Sequence, residues 1–183
     1  GEVLSNVVEF DVNKAYYTTA YRMRLIDKEF YDKCMGLPKD TRLRLIGSLA
    51  TQKRRIEYVK GRPTSYTPPR KDDILRYAWF NIVDYVDQCL KDVANMCGDK
   101  FLFYWVDGIY IEGKGSDYKV ALDMVSKKYG LDFKEDGVEQ ITMELDEMGN
   151  RFVGVYKTSM KNSDKRKYKP FYIQKKRSNE NTN

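Results

Sequence analysis

The chain has 183 residues, 42% of them hydrophobic and 33% charged, with 33 Lys and Arg against 27 Asp and Glu, a formal net charge of +6 and a pI near 9.0. That composition is globular, allows a real core in a single domain, and favours a polyanionic partner by the sign of its charge. There is no histidine, which excludes Ser-His-Asp and Cys-His catalysis and leaves oxygen-ligated hard ions such as Mg²⁺ or Mn²⁺ as the available metals.

Val7-Val-Glu-Phe-Asp-Val12 reads as a strand, with Val8 and Phe10 on one face and Val7, Glu9 and Asp11 on the other. Asn13 is placed to cap a helix over about Lys14–Ile26. A short helix follows at about Lys28–Met35, ended by Gly36 and Pro38. Leu45, Ile46, Leu49, Ile56 and Val59 then fit one long helix from Arg42 to about Lys60, closed by Gly61. Its other faces carry Arg42, Arg44, Lys53, Arg54 and Arg55, either a solvated basic face or a row of cations facing phosphates. Arg62–Arg70 holds three prolines and reads as a loop.

Asp72 starts the strongest helix, to about Met96. Ile74, Ala78, Ile82, Val86, Cys89, Val93 and Met96 form its core stripe. Two apolar runs, Phe101–Val106 and Ile109–Ile111, flank Asp107-Gly108, which reads as the two-residue turn of a β-hairpin. Asp107 at such a tip is either a turn former or a metal ligand with partners elsewhere. A helix from Ser116 or Asp117 to Tyr129 precedes strands at Leu131–Phe133, Gln140–Leu145 and Arg151–Tyr156. The last two are joined by the turn residues Asp146–Asn150. Lys157–Arg177 interleaves Tyr168, Phe171 and Tyr172 with basic residues, which suits nucleic acid. Phe171–Gln174 reads as a last short strand. The order of elements predicts an α+β fold, with helices on one face of an antiparallel sheet.

Cys34, Cys89 and Cys97 form no metal-type pair, and their odd number suits a reducing compartment. No apolar run approaches the roughly 20 residues that span a bilayer, so no membrane partner is expected. The start at Gly1 rather than Met is what an excised domain or an expression scar would show.

Asp11 and Asp107 are the two strand-borne acids that stand out. On neighbouring strands they would bracket a pair of divalent ions, with the Val12 carbonyl and substrate phosphates completing the shell. At these residues the chain resembles the palm of family B DNA polymerases, most closely the protein-primed phage type. Asp11-Val-Asn-Lys-Ala-Tyr16 is similar to that family's first motif, Asp-Val/Ile-Asn-x-x-Tyr-Pro. Phe103-Tyr-Trp-Val-Asp-Gly-Ile-Tyr-Ile-Glu-Gly113 is similar to its third, Tyr-x-Asp-Thr-Asp-Ser-Ile. Lys169-Pro-Phe-Tyr-Ile-Gln174 resembles its later Lys-x-Tyr segment.

The resemblance implies a palm over 1–160, with a very short fingers insertion at about 27–70 and a basic tail at 161–183. It implies that Asp11, Val12 and Asp107 hold Mg²⁺ or Mn²⁺. Tyr16 would be the steric gate under the sugar, and Arg42, Arg44 and Lys53 would meet the dNTP. Lys169 and Tyr172 would lie near the primer end. The implied partners are a DNA primer-template, dNTP and a companion subunit supplying thumb or exonuclease. The implied setting is the cytoplasm of a bacterial or phage-infected cell. Trp105 stands where the family has its other Asp, Tyr17 where it has Pro, and the middle motif is reduced to an echo at Leu43–Thr51. These departures motivate a rival, a non-catalytic DNA-binding relic. An RNase H-like nuclease would also open with a strand ending in Asp11, and a reverse transcriptase would carry adjacent Asp-Asp at the hairpin.

Overall fold

A computed structural model describes residues 2–51, 55–67, 73–158 and 166–172. In chain order it contains β1 (Val3–Leu4), β2 (Val7–Val12), α1 (Ala15–Arg22), α2 (Lys28–Met35), α3 (Lys39–Gly47), β3 (Arg55–Val59), β4 (Arg62–Thr67) and α4 (Ile74–Cys97). There follow β5 (Phe101–Trp105), β6 (Gly108–Glu112), α5 (Lys119–Tyr129), β7 (Phe133–Gly137), β8 (Gln140–Leu145), β9 (Arg151–Thr158) and β10 (Arg166–Tyr172). The fold is α+β. Two compact units divide it: Gly1–Asp11, Ala94–Asp123 and Phe133–Asn183 form the first, Val12–Val93 and Met124–Asp132 the second.

The first unit is built on two four-stranded sheets, in the orders β5-β6-β2-β7 and β1-β8-β9-β10. β2 is antiparallel to β6, and β8 is antiparallel to both β1 and β9. Val7 and Tyr110 from one sheet meet Ile141, Val153 and Val155 from the other in a shared core, with Phe103 and Phe171 packed against it. Alternation in β2 and β6 therefore puts Val7 on this side. Val8, Phe10, Ile109 and Ile111 are buried on the opposite face. A central strand with a neighbour on each side and packing on both faces explains why β2 is buried along almost its whole length, Glu9 included.

In the second unit, Tyr17, Cys34 and Ile46 bring α1, α2 and α3 together. Asp27 caps α2 by accepting from the Phe30 amide at 2.8 Å. Ile82, Val86, Cys89, Leu90 and Val93 are fully or almost fully buried on α4, so the middle of the predicted stripe is core. Its ends, Ile74 and Met96, are exposed. All three cysteines are buried and free. Among the described residues, no helix is long and apolar enough to cross a membrane.

Several expectations change, among them the strand expected at Leu131–Phe133, which is β7 at Phe133–Gly137. The single helix over Arg42–Lys60 is instead α3, a 3₁₀ turn at Ser48–Ala50, and the hairpin β3–β4. The residues Lys60 and Gly61 both take positive φ (50° and 76°), so they form the hairpin's two-residue turn rather than a helix stop. Arg62–Thr67 is consequently strand, with Pro63 beside the irregularity between Glu57 and Tyr58 where the ladder can spare its missing N–H. The first helix is shorter than Lys14–Ile26: Lys14 is left-handed at φ 50° and Arg24 at φ 58° bounds the other end. The final strand starts earlier, at Arg166, and pairs with β9 throughout. Ile173 and Gln174 lie outside the described residues.

Candidate functional site

β2 runs down the middle of its sheet, between β6 and β7. Its side chains alternate, so Glu9 and Asp11 leave on the same face. In the ladder with β6, Glu9 faces Tyr110 and Asp11 faces Gly108. β5 and β6 are joined by Val106 and Asp107, because Trp105 pairs with Gly108. The turn is therefore Val106-Asp107, and the expected Asp107-Gly108 turn is displaced by one residue. Val106 occupies the positive-φ position at 59°, a strained place for a β-branched side chain.

Gly108 has another role. A Cβ there would lie 2.6 Å from Asp11 Oδ1 and 3.3 Å from Glu9 Oε1. Glycine clears the space that the two carboxylates fill. Asp107 directly precedes the residue that faces Asp11, and its charge acts on Asp11.

β7 contributes a third acid. Its Asp136 side chain stands within hydrogen-bond reach of Asp11, an interaction that favours the protonated Asp11 carboxyl. The Asp11 carboxyl is pushed up to about 6 by burial first, then by the charge of Asp107, then by the hydrogen bond and charge of Asp136, with Lys169 opposing. Asp11 thus stands at neutral pH in a cluster of negative charge that one cation or one proton would relieve.

Behind the acids lies a buried polar row. Glu9 is 2% exposed, and its Oε1 accepts from the Tyr110 hydroxyl at 2.7 Å. Its Oε2 faces the Lys157 ammonium in direct contact. Lys157 is itself buried and lies 3.8 Å from Asp136 Oδ2. Burial, followed by the charges of Lys169 and Lys167, pulls the Lys157 ammonium down to about 8. Burial, followed by the charges of Asp11, Asp136 and Asp107, pushes the Tyr110 hydroxyl up, so it stays a donor to Glu9.

The fold brings Asp107 and Lys169 into electrostatic reach of Asp11 within the first unit. Tyr172 ends β10 opposite Phe152. The remaining expected residues belong to the second unit. Val12 closes β2 and is buried. Tyr16 lies on α1 with its ring 5.2 Å from that of Trp79. Arg42 is tied into its own unit, with Nη1 donating to the Met35 carbonyl at 3.1 Å and its carbonyl accepting from the Tyr17 hydroxyl at 2.8 Å. Arg44 is exposed on α3. Lys53 lies outside the described residues.

Asp136, Glu9 and Lys157 were not singled out by the sequence reading. Two of them carried a signal. Glu-x-Asp in a strand puts both acids on one face, and Val153-x-Val155-x-Lys157 places a lysine at the end of a buried apolar face.

The donor chemistry suits a hard divalent ion: every acidic group here is an oxygen ligand, and the raised Asp11 carboxyl reflects burial first and then the repulsion of Asp107 and Asp136, which an ion would offset. Among the described residues, no three Asp, Glu, Cys or His side chains are arranged to enclose an ion by themselves. Ion binding here would draw further oxygens from backbone and substrate. Compared with known proteins, the chain matches no family model, no curated protein and no solved structure.

Proposed function

We propose that the chain is a palm-type nucleotidyltransferase, resembling a minimal family B DNA polymerase, that adds a deoxynucleotide to a primer 3′ end. The observation that carries this reading is the placement of Asp11 opposite Gly108 with Asp107 one residue before it, which gathers two acids almost a hundred positions apart. In this reading Asp11 and Asp107, helped by the Val12 carbonyl and by Asp136, hold Mg²⁺ or Mn²⁺. The bound ions would lower the pKa of the attacking hydroxyl and neutralise the triphosphate. The residues of the chain do the rest. Asp11 offers its carboxylate to the cations, Lys157 keeps Asp136 oriented, and Lys169 offers a charge to the backbone of a nucleic acid. Tyr16, Arg42, Arg44 and Lys53 are proposed to contact the dNTP, Lys169 and Tyr172 the primer-template, and a companion chain would supply any thumb or exonuclease.

The test is Mg²⁺-dependent incorporation of a labelled dNMP on a primer-template by the chain, by Asp11→Asn and by Asp107→Asn. The proposal expects incorporation that falls at least 100-fold, on the order of an essential metal ligand's contribution, in each variant. Incorporation that survives Asp107→Asn removes the assignment. One observation favours a second reading: Arg42, expected on the triphosphate, already donates to the Met35 carbonyl. No incorporation by any form, together with salt-sensitive DNA binding, selects the non-catalytic DNA-binding protein.

A further inference from the structure

We propose that the cleft between the two sheets of the first unit binds a small hydrophobic cation, an aromatic or alkyl body bearing an ammonium group. The cavity measures about 850 Å³, inside the roughly 300–1,000 Å³ range of small-molecule sites. Its walls are Leu102, Phe103 and Trp105 from β5, Ile141 and Met143 from β8, and Phe171 from β10. Glu9, Asp11, Asp107 and Asp136 are not among its lining residues, so it is separate from the acidic cluster.

Three observations select the ligand. The first is shape. The Trp105 and Phe171 rings lie 5.6 Å apart at 59°, and Phe103 and Phe171 lie 5.6 Å apart at 56°, which makes an aromatic corner. Trp105 is 51% exposed although it belongs to a strand lining the core, so a large ring face is left for a ligand. The second is charge. The chain as a whole has more basic than acidic residues, yet among the described residues the charged side chains in this lining are Glu2 and Glu112. Carboxylates beside indole and phenyl faces attract cations through both charge and ring quadrupole. The third is exclusion: the same two carboxylates repel phosphate, so the cleft is not a second nucleotide site. Lys100 lies 3.6 Å from Glu112 Oε2, in a pair whose side chains are 52% and 39% exposed. Such an exposed pair is weak enough for a ligand ammonium to displace.

The experiment is isothermal titration of the full chain with 2-naphthylmethylammonium, 2-naphthylmethanol and 2-naphthylacetate, which share one body and differ in charge. No Mg²⁺ or DNA is present, so the result is independent of the nucleotidyl-transfer reading. The cation should bind at least tenfold tighter than the alcohol, and the anion most weakly. Glu2→Gln with Glu112→Gln should erase that ranking while the body still binds, and Trp105→Ala should weaken all three. The unfolding midpoint of each variant is measured alongside, and both exchanged sites are exposed enough to leave it within a few degrees. Equal binding of the three probes overturns the proposal, as does no binding, or binding untouched by Trp105→Ala. A concentration-dependent dimer that Trp105→Ala dissociates would assign the cleft to a second copy of the chain and equally overturn it.

Discussion

Gly108 faces Asp11 across the β2–β6 ladder, and the glycine hydrogen occupies the space where a Cβ would stand 2.6 Å from the Asp11 carboxylate oxygen. Gly108→Ala therefore has to rotate Asp11 or open the ladder. Overpacking of this kind costs about 1–3 kcal/mol. Urea unfolding should show that loss. Divalent-ion affinity should fall in parallel, because Asp11 is the group displaced. Gly47→Ala, with nothing within 4 Å of its added Cβ, is the control and should leave both unchanged or slightly improved. Equal behaviour of the two alanines would remove the close-approach role of Gly108.

The pH dependence follows from Asp11. Its folded carboxyl titrates at about 6 against the ordinary 3.8, so the folded state holds the proton more tightly than the unfolded chain. Below 3.8 both states are protonated and no difference arises. Between 3.8 and 6 stability falls as pH rises, and above 6 the whole charge penalty is present. Asp11→Asn should thus raise stability at pH 7.5 and change little at pH 3.5, by denaturant melts at both values. Mn²⁺ should raise the melting temperature at pH 7.5 and lose most of that effect at pH 5. A destabilising Asp11→Asn at pH 7.5 would contradict the electrostatic account.

The buried pair of Lys157 and Glu9 gives a third prediction. Removing one partner of a buried ion pair leaves a charge that neither water nor protein balances, at a cost of about 3–5 kcal/mol. Lys157→Met should be destabilising to that extent, since Glu9 keeps only the Tyr110 hydroxyl. Glu9→Gln with Lys157→Met should recover much of the loss, because both charges are then gone. A double-mutant cycle by urea unfolding reads the coupling directly. Additive losses would show that the two side chains do not act on each other.

Val106 supplies the fourth. A β-branched residue at φ 59° carries about 1–3 kcal/mol of backbone strain. Val106→Gly removes that strain, although it adds freedom to the unfolded chain, which offsets part of the gain. The net expectation is a stabilisation of about 1 kcal/mol, measured by denaturant unfolding. Under the proposed function the same change loosens Asp107, so ion affinity should fall while stability rises. Loss of stability in Val106→Gly would place the valine side chain, 56% exposed, in a packing role that its surroundings do not suggest.

Local signals in the chain were sufficient for much of this. The alternation in Val7–Val12 marked β2, the stripe through Ile82, Val86, Cys89 and Val93 marked α4, and Asp146–Asn150 marked a turn that Asp146 closes by accepting from Met148 and Asn150 amides. Each rests on interactions within a few residues, so composition and spacing suffice to reveal it. Where two local patterns competed, the reading failed: Ile56 and Val59 fit helical spacing, but Lys60-Gly61 chose a hairpin through its positive φ values.

Tertiary pairing decided what spacing could not. Trp105 opposite Gly108 moved the turn by one residue to Val106-Asp107, and the separate β2–β6 register set Gly108 opposite Asp11. The meeting of Asp136, Lys157 and Glu9 depends on which strands are neighbours and on two sheets sharing a core. Those are long-range choices governed by burial of the apolar faces of β2, β6, β8 and β9 together, and no short stretch of sequence encodes them alone. Asp11 and Asp107 were therefore visible one by one, but their gathering with Asp136, and the buried Lys157 and Glu9 behind them, belong to the fold.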